Sequence, residues 1–257
     1  AREWGPCRLV ADLPPYSRDR RHIDVRPFGS GGSRRIYVPF LIMGRGHQLL
    51  DAIVLRTHDV GEADRLCIVF TRERGRMALR ARAVRKLGSR TGALLLPGRR
   101  VILDVRDEGS FVSIAAAKLN GDVVDLSHPA AFVAAQQGIE LLLSLTEDDE
   151  PLPMAFDALY QFLHACGAGD SRALLPFRLR LLHILGMLPS HVDDRRFALL
   201  TPSDREAVLL TRITPDFAAL CAGIEESDGL RAFVESLLET YVPRRLKSDA
   251  VCAAFAN

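Results

Sequence analysis

Arginine is the residue through which this sequence could do chemistry. Between positions 72 and 100 stand ten Arg or Lys and a single acid, Glu73. Within that run, alternation over 76–83 sets Arg76, Ala78, Arg80 and Arg82 on one face of a strand and Met77, Leu79, Ala81 and Ala83 on the other. Residues two apart on a strand lie about 6.6 Å from each other, so the guanidiniums of Arg80 and Arg82 can meet successive phosphates of an extended backbone. The planar guanidinium makes bidentate, charge-assisted hydrogen bonds to phosphate oxygens and stacks on bases. Arg72, Arg74, Arg85, Lys86 and Arg90 carry the charge into the flanking loops. The competing reading is a solvated strand face, but such faces mix both signs, and the near-absence of acids here favours an anionic ligand. Abundance alone counts for little, because the chain has 31 Arg against three Lys and is arginine-biased throughout.

Other chemistries find little support. No H-E-x-x-H, G-x-S-x-G, Walker or Rossmann pattern occurs, and the seven His are dispersed. The run Glu147–Glu150 before Pro151 reads as a solvated loop rather than a metal site, and His183 as a satisfied histidine rather than a ligand. No catalytic residue, cofactor, metal or small-molecule substrate is therefore expected. Aromatic residues are scarce around the arginines: Phe70 falls on the inward alternation of its strand and Phe111 follows a turn. Stacking platforms are thus weak, and binding is expected to be phosphate-dominated, salt-sensitive and sequence-independent, to double as well as single strands.

The elements that would hold these arginines are short β runs, Leu50–Thr57, Leu66–Thr71, Arg76–Ala83, Arg100–Arg106 and Phe111–Lys118, separated by turn chemistry such as Arg74-Gly75, Pro97-Gly98 and Glu108-Gly109. Five strands in so short a span predict a small closed barrel of the oligonucleotide-binding (OB) type. From Ser127, read as an N-cap before Pro129, the period becomes helical. The predicted helices are Pro129–Thr146, Pro153–Cys166, Arg172–Leu185, Ser203–Arg212, Pro215–Ile224, Asp228–Tyr241 and Leu246–Phe255. The expected architecture is α+β and two-domain: an OB-fold DNA-binding barrel at 47–122, then an all-α domain at 123–257. Residues 1–46, with Pro14, Pro15 and a Gly/Ser tract at 29–33, read as a poorly ordered extension, either a basic arm or sequence upstream of a start at Met43.

Composition is consistent with that division. Nearly half the residues are apolar, enough for a buried core, and the net charge of +2 conceals an asymmetry: from Asp107 onward there are twelve basic and twenty-two acidic residues. The five cysteines are scattered and never form C-x-x-C, which fits reduced thiols in a cytosolic protein better than disulfides or zinc. Apolar runs are far shorter than the roughly 20 residues of a membrane span.

The segments Ala52–Thr57, Gly61–Leu66, Phe70–Arg76 and Arg85–Arg90, followed by Glu147–Pro151, Phe177–Gly186 and Arg245–Ser248, collectively resemble the RecO family of bacterial DNA repair proteins. They occur in the family's order over about residues 50 to 255. The resemblance implies an N-terminal OB domain and a helical C-terminal domain. It also implies binding of single- and double-stranded DNA, strand annealing, and help for RecA in displacing single-strand binding protein, in partnership with RecR, in the bacterial cytosol and nucleoid. Carried onto this sequence, the DNA-facing positions are Arg72, Arg74, Arg76, Arg80, Arg82, Arg85, Lys86 and Arg90. Candidates for docking the C-terminal tail of single-strand binding protein are Arg178, Arg180, Arg244, Arg245 and Lys247. The four-cysteine zinc element of many members has no counterpart, since 188–211 holds no cysteine and only His191. Two other readings stand beside this one: an adaptor whose helical domain recognises protein partners, and a nuclease, which the barrel's few acids disfavour.

Overall fold

In the computed structural model, residues 47–242 are described, except 87, 110, 171 and 190–194. The expected extension at 1–46, the terminal helix Leu246–Phe255, and the candidates Arg244, Arg245 and Lys247 lie outside the described residues.

Five strands, β1 (His47–Val60), β2 (Asp64–Thr71), β3 (Gly75–Ala81), β4 (Arg100–Asp107) and β5 (Val112–Leu119), close into a barrel in the order β1-β2-β3-β5-β4. All neighbours are antiparallel except β3 and β5, which run parallel across Leu79–Ala81. The two-residue period sends Leu50, Ala52, Val54, Cys67, Val69, Met77, Leu79, Ala81, Val101, Leu103 and Val105 into the barrel interior. One short helix, α1 (Arg90–Leu94), lies between β3 and β4. Ser89 caps it by accepting a hydrogen bond from the Gly92 N–H. Five residues are too few to show a helical period, so this stretch reads as a loop in the sequence.

The predicted strand over 76–83 ends two residues early. Ala81 is its last residue, Ala83 turns out of the sheet with φ +55°, and Val84 takes the next buried place. Ala83 is therefore exposed rather than part of the inward row.

Over 50–55 β1 is buried on both faces. Leu50, Ala52 and Val54 face the barrel interior, while Ile53 and Leu55, with Phe70 of β2, belong to the core of the helical region. Phe70 is fully buried as expected, but in the seam between barrel and helices rather than inside the barrel; its ring stacks with Phe156 at a centroid distance of 6.4 Å.

The helical region comprises α2 (Pro129–Leu145), α3 (Pro153–Gly167), α4 (Leu174–Ile184), α5 (Arg195–Ala198), α6 (Pro202–Ile213), α7 (Phe217–Gly223) and α8 (Asp228–Tyr241). The N-cap of α2 is His128, one residue later than expected, and it offers no side-chain bond. Ser127 instead donates its N–H to the Asp125 carboxylate. The four-residue α5 is too short to be periodic. Buried Asp204 accepts hydrogen bonds from the hydroxyls of Thr201 and Ser227, the capping residues of α6 and α8, and so ties two helix starts together. Burial pushes the thiols of Cys67 and Cys221 up to about 11 and that of Cys166 up to about 12, which keeps them protonated and inert. No described helix is long and apolar enough to cross a membrane.

Candidate nucleic-acid interface

The arginines cluster because β2, the turn after it and β3 bring them to one outer surface, and the turn decides where each points. Thr71 donates its hydroxyl to the Gly75 carbonyl at 2.9 Å and accepts the Arg74 N–H at 3.0 Å, closing the turn. That closure aims Arg72, Arg74 and Arg76 at the helical region. Arg76 bonds the Asp148 carboxylate through Nε at 2.5 Å and the Leu143 carbonyl, in the last turn of α2, at 2.6 Å. Arg74 meets Asp149 at 2.8 Å, and Arg72 pairs with Asp157 of α3 while its guanidinium lies 5.5 Å from the Phe156 ring centre.

The backbone joins in. Because β5 reaches β3 only across Leu79–Ala81, the start of β3 has an open edge. The acidic α2–α3 connection fills it: Arg76 and Asp148 form a parallel bridge, and the Asp149 N–H donates to the Arg76 carbonyl at 2.9 Å. Gly75 is required by this approach, since its φ is +71° and a Cβ would stand 1.8 Å from the Glu150 carbonyl oxygen.

Behind the seam lies a buried polar cluster. Arg100 grips Asp51 with two bonds of 2.9 and 2.5 Å, Asn120 donates to the same carboxylate at 3.0 Å, and the Arg100 guanidinium lies 4.4 Å from the Tyr160 ring centre. The Asp51 N–H donates to Glu73 at 3.1 Å, and the other Glu73 carboxylate oxygen is buried without a partner. Burial pushes the Glu73 carboxyl up to about 7, reinforced by the Asp51 charge and opposed by hydrogen bonds from backbone N–H groups and by Arg72.

At its other end β3 and the loop after it find their partners within the barrel. Arg80 holds Asp64 Oδ2 through Nε at 3.0 Å and Nη2 at 2.7 Å. The other oxygen of Asp64 accepts the Ala83 N–H at 2.9 Å; this bond and the Arg80 contact hold the Asp64 carboxyl below its usual range. Arg82 pairs with Glu108, which also accepts the Ser113 hydroxyl at 2.7 Å. Arg85 reaches Asp59 at 3.2 Å and the Gly61 carbonyl at 2.9 Å. Lys86 and Arg90 are exposed and pair with no carboxylate among the described residues.

The structure therefore divides the predicted positions into a set held by acids of the helical region, a set held by acids of the barrel, and the exposed Lys86 and Arg90, and it corrects the expectation that their charge is uncompensated. Arg72, Arg74, Arg76, Arg80, Arg82 and Arg85 each have a carboxylate partner. The acids come from outside 72–100, where a local count cannot see them. The Arg74–Asp149 and Arg76–Asp148 hydrogen bonds are exposed, and exposed pairs contribute only about 0–1 kcal/mol each, whereas the Arg72–Asp157 and Arg80–Asp64 bonds are partly buried. Asp64, Glu108 and Phe111 were not singled out as parts of this arrangement; the placement of Glu108 and Phe111 around a predicted β4–β5 turn is the one sequence signal that bears on it.

Of the proposed partner-docking residues, Arg178 is buried within α4 and offers no surface for a partner. Arg180 is half-buried and donates to the Thr214 carbonyl, with burial lowering its pKa. His183 is half-buried too, and burial with the neighbouring Arg212 and Arg180 charges lowers its pKa.

A closed barrel in the strand order β1-β2-β3-β5-β4, followed by helices, defines an OB-fold protein with a helical region after the barrel. Residues 47–121 match the family model for the recombination protein O N terminal, and residues 126–194 that for the recombination protein O C terminal. Together the two cover more than half of the chain, which belongs to the RecO family. Relatives named DNA repair protein RecO include that of Bacillus cytotoxicus, 32% identical over 152 residues, covering 55% of this chain and 58% of the relative. That of Nocardioides sp. is 33% identical over 159 residues, covering 59% and 64%. The chain thus spans about three-fifths of the length of the curated relatives it matches.

Proposed function

We propose that the chain is a DNA-binding recombination mediator of DNA repair that anneals complementary strands and, with RecR, helps RecA load onto DNA coated by single-strand binding protein. The observation that carries the DNA contact is the end of β3 and the loop after it, where Arg80, Arg82 and Arg85 pair only with acids of the barrel and Lys86 and Arg90 are exposed. Arg72, Arg74 and Arg76 act chiefly as the seam between the two halves of the molecule. Annealing follows if this basic surface neutralises phosphate on two strands at once, lowering their repulsion and raising their local concentration. No bond is made or broken, so no catalytic residue is invoked. The test is charge reversal: R80E/R82E is expected to abolish annealing while the chain keeps its folded circular-dichroism spectrum. Wild-type annealing by that variant overturns the proposal.

A second reading, the adaptor in which protein partners dominate, draws support from how much of the barrel's outer face is given over to the helices through Ile53, Leu55 and Phe70. DNA affinity measured against salt separates the two. A log–log slope of several units reports several phosphate contacts, whereas a flat response with tight partner binding favours the adaptor.

A further inference from the structure

OB barrels take oligonucleotides across strands 2 and 3, between the loops that join strands 1 to 2 and 4 to 5. Here the helices cover one end of that face and leave the other open. The open end holds Arg80 and Arg82, bounded by the β1–β2 turn at 61–63 and by the β4–β5 turn that carries Phe111.

Phe111 is not a bystander there. The barrel span 47–121 has two aromatic residues, Phe70 and Phe111. Phe70 is fully buried in the seam, but Phe111 is only half-buried. Its ring centre lies 5.4 Å from the guanidinium carbon of Arg80 and 5.1 Å from that of Arg82. The hairpin sets the ring in place: the Glu108 N–H donates to the Phe111 carbonyl at 3.0 Å, and the Gly109 N–H to the Asp107 carboxylate at 2.8 Å. Asp64 pairs with the Arg80 guanidinium and Glu108 with that of Arg82. One aromatic ring thus sits with two planar cations beside it, each paired with a carboxylate.

Such a group is more than a phosphate clamp. Phosphate needs only the guanidinium edges, and a duplex offers little else because its bases are stacked on one another. An unpaired base presents a free π face, which stacks on an aromatic ring or a guanidinium plane and is indifferent to sequence. We propose that Phe111, Arg80 and Arg82 form a base-stacking subsite for one unpaired nucleotide, so that this end of the barrel prefers single-stranded to duplex DNA. The proposal rests on the DNA-binding reading above and deepens it by naming the form of DNA that this site takes. It also revises the expectation that stacking platforms are weak in this barrel.

The experiment compares F111A, F111L and F111W in the full chain, with fluorescein-labelled oligothymidylate and a duplex of matched length as probes. Leucine keeps the apolar bulk beneath the arginines but has no π face. The expected result is a roughly tenfold loss of oligothymidylate affinity for F111A and F111L, with duplex affinity within about twofold of wild type. F111W retains single-strand affinity. In a W4F background, which removes the chain's single natural tryptophan, its emission is quenched by oligothymidylate. Wild-type single-strand binding by F111L, or equal losses for single strand and duplex, overturns the proposal, since Phe111 would then act only as a support for the arginines. Failure of the underlying DNA-binding reading looks different: R80E/R82E would leave affinity for both probes unchanged.

Discussion

Arg76 and Arg80 stand four residues apart on the same face of β3, and each holds an aspartate. For Arg76 that aspartate is Asp148, on the α2–α3 connection of the helical region; for Arg80 it is Asp64, on the neighbouring strand of the same barrel. Breaking the first contact is expected to loosen one half of the molecule from the other, whereas on the proposed function a phosphate would replace a carboxylate held within the barrel alone. Two arginines that are equivalent in the sequence alternation are therefore suited to different tasks, and the origin of the partner carboxylate makes the difference.

That contrast can be attacked from both ends. The largest effect is expected from G75A, which puts a Cβ at positive φ and against the Glu150 carbonyl. Urea unfolding should register a loss of roughly 2–4 kcal/mol, and a stability within about 0.5 kcal/mol of wild type would mean that the seam is not closely packed. Next comes R80E/R82E, expected to lower DNA affinity by on the order of tenfold per position and the salt slope by about 2, with little change in unfolding midpoint. R72E/R76E should do the opposite, lowering the midpoint while leaving most of the salt slope. Matching profiles for the two double variants would erase the distinction between the ends of β3.

Two smaller effects sharpen it. Folded Glu73 keeps its proton until about pH 7, whereas the unfolded chain releases it near the ordinary value of 4.5. Its contribution to stability is therefore full below about 4.5 and lost as pH rises through about 7. E73Q should flatten that part of the stability profile and, at pH 8, be more stable than wild type by about 1–3 kcal/mol; unfolding curves between pH 5 and 8 measure this. Last, D148N/D149N removes two acids that sit beside Arg76 and Arg74. A two- to threefold gain in DNA affinity is expected, for a stability loss under about 1 kcal/mol. An unchanged affinity would leave those two arginines to the seam alone.

The barrel was legible in the sequence because its evidence is local. Alternation over Arg76–Ala81 is read directly from residue order, and the glycines at 75 and 109 mark real turns. What could not be read was anything that joins distant positions. Asp64, Glu108 and Asp148 lie 16, 26 and 72 residues from the arginines they meet, so a run of charge with few local acids looked unpaired. Phe70 shows the same limit, because alternation assigns a strand residue to one of two faces but cannot say that both are buried. Nor does a one-turn helix such as α1 leave a period to detect. Among the described residues the helices of three turns or more fall within a residue or two of the predicted ranges, because periodicity, and for α6 and α8 a side-chain cap, marks them.

The open edge at the start of β3 has a further consequence. An unpaired strand edge is a template on which another chain can add a strand, the usual route by which barrels and sheets associate out of turn. By lying along Arg76 and giving its Asp149 N–H to that backbone, the α2–α3 connection occupies the template. The segment that fastens the helices to the barrel thereby also guards against edge-to-edge pairing.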